Sequence, residues 1–101
     1  NMSSTITSGA VAMVQTTSTL IIAAAATRKK LILQNISVTA AEIVYVGPTA
    51  ATANMFPLYP NAPAAVAPSV VAPLVLEDFT GAVYGFSASG TPSIRYIELL
   101  T

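Results

Sequence analysis

The stretch Arg28 to Val38, RKKLILQNISV, decides the fold class. It is rich in Leu, Ile and Val and contains neither Pro nor Gly. Side chains alternate along a strand, so Leu31 and Leu33 share one face while Ile32, Ile36 and Val38 share the other. Apolar residues on both faces predict a central strand, or one bulged near Gln34 and Asn35. Downstream, Glu42 to Gly47 (EIVYVG) follows a short polar turn. This spacing predicts a hairpin between the two segments, turning near Thr39 to Ala41.

The same period-two pattern recurs on either side. Thr5 to Val14 reads as a strand with a kink or bulge at Gly9. Thr19 to Ala23 is a second candidate. Val70 to Glu77 is another, and its Pro73 predicts an edge or a bulge. Ala82 to Ala88 alternates Ala82, Tyr84 and Phe86 with Val83, Gly85 and Ser87; Gly85 would permit close sheet packing. The turn Ser89-Gly90-Thr91-Pro92 leads into a closing strand, Ser93 to Leu100. The best helical stretch, Ala23 to Ala26, is too short to nucleate alone. About seven short strands in 101 residues predict an all-β, single-domain antiparallel β-sandwich or jelly-roll-like barrel. The expected organisation is an N-terminal arm over 1–9 and a sandwich over 10–101, with a Pro/Ala-rich insert at 48–73.

That insert holds six of the seven prolines and no charge. Proline cannot donate to a ladder, so a central strand is excluded over most of it. Long uncharged loops are uncommon in compact domains and are often functional. Met55, Phe56, Leu58 and Tyr59 form an apolar cluster within it. The insert reads either as a lid on its own core or as a contact arm for a neighbouring subunit.

Composition narrows the function. Only 8% of residues are charged, four basic against four acidic, and 53% are apolar. Disordered chains combine low hydrophobicity with high charge, the opposite balance. Four cations cannot neutralise a run of phosphates, so nucleic acid is not an expected partner. The chain has no His, Cys or Trp, which removes imidazole bases, thiol nucleophiles and Cys/His metal sites. Glu77 and Asp78 are adjacent and would point to opposite strand faces, so they read as a strand end and turn rather than an acid–base pair. No cofactor and no enzymatic activity are expected. The apolar run Leu20 to Ala26 has seven residues, far short of the roughly 20 that span a bilayer. No membrane partner is expected either.

Soluble monomers usually carry a mixed charged surface. A surface of Ala, Ser, Thr and Pro is best tolerated when other protein covers it, and a core of this size leaves little surplus stability. Both arguments predict a subunit of an assembly. The basic triplet Arg28, Lys29 and Lys30 then has two readings. It protects a strand start and aids solubility, or it bridges to an acidic neighbour across an interface. Candidate subunit contacts are therefore Met55, Phe56, Leu58, Tyr59, Arg28, Lys29 and Lys30.

Taken in order, RKKLILQNIS, EIVYVG and PLVLEDFTGAVYGFSASGTPSIRYIE resemble a recurrent small β-rich structural protein of tailed bacteriophages. The resemblance runs over about residues 28–98. Arg28, Leu31, Leu33, Gln34, Asn35, Tyr45, Val46, Gly47, Gly81, Val83, Tyr84, Arg95 and Glu98 carry it. This chain departs from the pattern at 48–73, where a Pro/Ala segment replaces a Gly-rich turn. The resemblance implies a virion structural protein that decorates or cements the outer capsid surface. Its partners would be the major capsid protein and other copies of itself, commonly as a trimer. A head-fibre or tail component that binds carbohydrate or a host surface is the alternative. That role would need Tyr45, Tyr59, Tyr84 and Tyr96 to converge.

Overall fold

The computed structural model describes residues 3–61 and 71–101. Its strands are β1 (Thr5–Ala12), β2 (Thr19–Ile22), β3 (Arg28–Asn35), β4 (Val44–Gly47), β5 (Phe56–Leu58), β6 (Leu74–Glu77), β7 (Val83–Phe86) and β8 (Ser93–Leu100), and no helix occurs among the described residues. Two four-stranded sheets form, ordered β1-β8-β3-β6 and β2-β7-β4-β5. The pairs β1:β8, β2:β7, β3:β6 and β4:β5 are all antiparallel. They nest around the β4–β5 hairpin, so the chain is one long hairpin rolled into two layers. This is the eight-stranded jelly roll.

β3 is the central strand its composition predicts, flanked by β8 and β6. Leu31 and Leu33 face inward and are fully buried. They meet Ile94 of β8 and, from the second sheet, Val44, Val46 and Val83 in one continuous core. Proline marks the edges as expected. Pro57 lies in β5 opposite Tyr45, at the margin of its sheet, and Pro73 immediately precedes the edge strand β6.

Four sequence expectations are corrected. β3 and β4 do not form a hairpin, because they lie in different sheets. Both sides of β3 are already occupied, and residues 36–43 carry the chain across to the second layer. The irregularity in β3 falls between Arg28 and Lys30, not at Gln34 and Asn35. Residues 5–9 are not an arm: they are the first half of β1, in unbroken register with β8 from Thr5 opposite Leu100 to Ala12 opposite Ser93. Gly9 makes no bulge there. It leaves room for the Tyr96 ring of β8, which a Cβ would strike at 2.5 Å from Cζ. The 48–73 segment holds no central strand among its described residues; its one strand there, β5, lies at a sheet edge. Its residues 62–70 fall outside the described residues, so the choice between lid and contact arm falls there too.

Gly85 of β7 permits the close approach read from its sequence. A Cβ at that position would lie 2.7 Å from Met13 Sδ and 2.8 Å from Ile21 Cδ1. Both neighbours are buried and have little space to retreat. Gly85→Ala is expected to cost about 1–3 kcal/mol through overpacking. A thermal melt followed by circular dichroism would register this as a fall of about 4–8 °C per kcal/mol.

Candidate assembly surfaces

Alternation along each strand leaves an outer face on both sheets. On the first sheet, one cross-strand row reads Ser8, Ile97, Ile32 and Val75, from β1 through β8 and β3 to β6. The next row reads Ile6, Leu99, Lys30 and Glu77. Ile6 is 66% exposed, and Val75 and Ile97 are also exposed. Ile6, Ile32, Ile97 and Leu99 border a shallow groove with an approximate volume of 200 Å³. The charges on these two rows are Lys30 and Glu77, which pair with each other at 3.5 Å at the β6 margin. The row on the other side, Ala10, Arg95 and Gln34, adds one exposed charge, Arg95. A sheet face with an aliphatic centre between charged margins is shaped for burial against protein.

The outer face of the second sheet is aromatic. Tyr45 stands between Phe86 and Pro57, and Tyr84 stands between Leu20 and Gly47. The Met55 side chain lies over Gly47, 3.2 Å from where a Cβ would be. The four tyrosines do not converge. Tyr45 and Tyr84 share this face, Tyr96 packs inward against the core, and Tyr59 lies beyond β5.

The predicted contact residues separate. Leu58 belongs to the core and offers no surface. Phe56 and Tyr59 stay outside, 58% and 53% exposed, and Met55 is half-buried. Phe56 also borders an apolar cleft with an approximate volume of 370 Å³ between the sheets, walled by Val46, Val83, Leu74, Leu76 and Phe79. Of the basic triplet, Lys29 is exposed and Lys30 pairs with Glu77.

Arg28 is the clear correction: it is 1% exposed and cannot reach a partner. Its Nε donates to Glu98 Oε2 at 2.8 Å. Its Nη1 donates to the carbonyls of Phe79 and Gly81 at 3.3 and 2.9 Å, and Nη2 to that of Ala23 at 2.6 Å. The other Glu98 oxygen accepts from Thr7 Oγ1 at 2.8 Å. One guanidinium therefore joins β8, the β2–β3 connection and the β6–β7 turn at one end of the sandwich. Its planar fork suits several acceptors at once.

The carboxylates are similarly engaged in structure. Glu98 holds Arg28, Glu77 holds Lys30, and Glu42 accepts from Ser37. Asp78 ends β6 in a left-handed conformation with φ 58°, as its turn reading requires. Among the described residues no three His, Cys, Asp or Glu side chains gather as a metal site.

Comparisons with family models, with curated proteins and with solved structures find no match to this chain. The outer face of the first sheet is what sequence reading missed. Its signal was present in β3, where Ile32 opposes the core residues Leu31 and Leu33. The alternation gave two apolar faces without saying which faced water.

Proposed function

We propose that this chain is a non-enzymatic structural subunit of a virion, decorating or cementing the outer surface of a capsid. The observation that carries the proposal is the outward aliphatic row on the first sheet, with Ile97 and Val75 exposed, Ile32 half-buried between them and Ile6 exposed beside it. Burial of apolar area stabilises association by about 25 cal/mol per Å², without the desolvation cost that charged groups would add. The resemblance over residues 28–98 supplies the virion context and the major capsid protein as partner. The jelly roll suits this role, since viral capsid domains use it, although fold alone does not assign function.

The test is a reconstitution. Purified protein is added to capsids that lack it, and particle melting is followed by light scattering. Binding with a raised melting temperature is the expected result. Ile97→Lys places a charge at the centre of the aliphatic row and is expected to abolish binding while the isolated variant still folds. Undiminished binding by Ile97→Lys would sink the proposed contact face. No effect of the unmodified protein on the particles would sink the decorating role.

The aromatic face offers a second reading as a carbohydrate- or host-binding module on a fibre or tail. Tyr45, Tyr84 and Phe86 place stackable rings on one outer surface. A glycan array on which Tyr84→Ala abolishes hits would favour this reading, and an array without hits would remove it.

A further inference from the structure

The jelly roll has four edge strands, β1, β6, β2 and β5. Three are blunted against pairing. β5 has three residues and contains Pro57. β6 has four residues, follows Pro73 and ends on Glu77. β2 has four residues and a register shift between Leu20 and Ile22. β1 differs on every count. It has eight residues, TITSGAVA, with no proline, no charge and no shift in its register with β8. Its residues are exposed apart from Gly9 and Val11. Such an edge is a ready template for another strand, and proteins that must stay unpaired disguise it.

We propose that the edge of β1, unpaired among the described residues, pairs antiparallel with β1 of a second copy of this chain, making one eight-stranded sheet across a two-fold axis. Opposed residues in an antiparallel pair share a face, so a symmetric register must set a residue against itself. Centring on Ser8 places Ile6 opposite Ala10 and Thr7 opposite Gly9. Large residues then meet small ones, and no like charges meet anywhere along the contact. The row Ile32, Ile97 and Ser8 continues through the axis into its own image. Two aliphatic outer faces thus merge into one wider band. A contact made mainly by one strand pair is small, so the association is weak and concentration-dependent. The pairing stands apart from the virion reading, because it needs no capsid. It also yields pairs, so a trimer would have to form through another surface.

Sedimentation of the purified chain over a micromolar to millimolar series tests this directly. The unmodified protein is expected to shift from monomer toward dimer. Ser8→Lys, an exposed substitution that sets two ammonium groups against each other at the axis, is expected to weaken self-association at least tenfold with an unchanged circular dichroism spectrum. Because the chain has no cysteine, Ser8→Cys introduces its sole thiol. Oxidation is expected to give a disulfide-linked dimer from Ser8→Cys and none from Thr52→Cys, an exposed position off the edge. An unmodified chain that stays monomeric throughout overturns the proposal. So does a dimer that Ser8→Lys leaves intact, or equal cross-linking at positions 8 and 52. Capsid binding by a monomeric chain would overturn the pairing while leaving the decorating role in place.

Discussion

Arg28→Met is expected to lower the thermal midpoint by at least about 12 °C, from a loss of about 3–5 kcal/mol. Removing one partner of a buried ion pair leaves the other charge without compensation, here Glu98 with a side-chain exposure of 12%. The loss extends beyond the pair. The carbonyls of Ala23, Phe79 and Gly81 lose their donors at the same time. Buried ion pairs can often be replaced by apolar residues at little cost. That rule is expected to fail at this site, so the double variant Arg28→Met/Glu98→Leu should recover only part of the loss. Arg28→Lys is also expected to melt well below the unmodified chain, because one ammonium cannot reach acceptors spread around a planar fork. Circular dichroism melts of the three variants decide the matter. A midpoint for Arg28→Met within a few degrees of the unmodified chain would show that the network contributes little.

Asn35→Asp is the second large effect, expected at about 3 kcal/mol at neutral pH. The Asn35 amide nitrogen donates to the carbonyls of Glu42 and Leu58 at 2.8 and 3.0 Å, and its oxygen accepts from the Ser37 amide at 3.0 Å. The residue is buried and fastens β3 of one sheet to both ends of the β4–β5 unit of the other. A carboxylate there would turn a bare oxygen toward two carbonyl oxygens. Burial and that repulsion raise the pKa of the introduced group above its unfolded value. Folding then takes up a proton. The variant is least impaired below the unfolded carboxyl pKa, about 3.9, and loses stability as pH rises through the raised folded value. The gap in melting temperature between Asn35→Asp and the unmodified chain should therefore narrow on acidification. Asn35→Leu, which cannot titrate, should show a gap that does not change with pH through this mechanism. A constant gap for Asn35→Asp across the acid range would contradict the assignment.

The strands themselves were legible because alternation is local. Ser93 to Leu100 was read with its observed bounds. Gly85 predicts the close sheet packing seen on its side of β7, and of the edge or bulge that Pro73 predicts, β6 takes the edge. β5 escaped notice because three residues around a proline carry almost no periodicity. The apolar cluster Met55 to Tyr59 divided for a related reason. Leu58 is drawn inward opposite Val44, while Phe56, opposite Val46, lies at the open mouth of the sandwich.

Composition and period-two patterning determined by themselves that this chain is all-β, that both faces of β3 are apolar and that proline keeps a central strand out of most of 48–73. These properties depend on side-chain alternation and on a missing amide hydrogen, both carried within a few residues. Only the tertiary structure decided which strands are neighbours, which apolar faces remain in water and what becomes of Arg28. Those outcomes depend on groups far apart in the chain: β1 pairs with β8, and Arg28 is satisfied by carbonyls and a carboxylate up to 70 positions away. A basic residue before a strand reads as exposed until the fold surrounds it with acceptors, and a strand edge reads as free only once its neighbours are known.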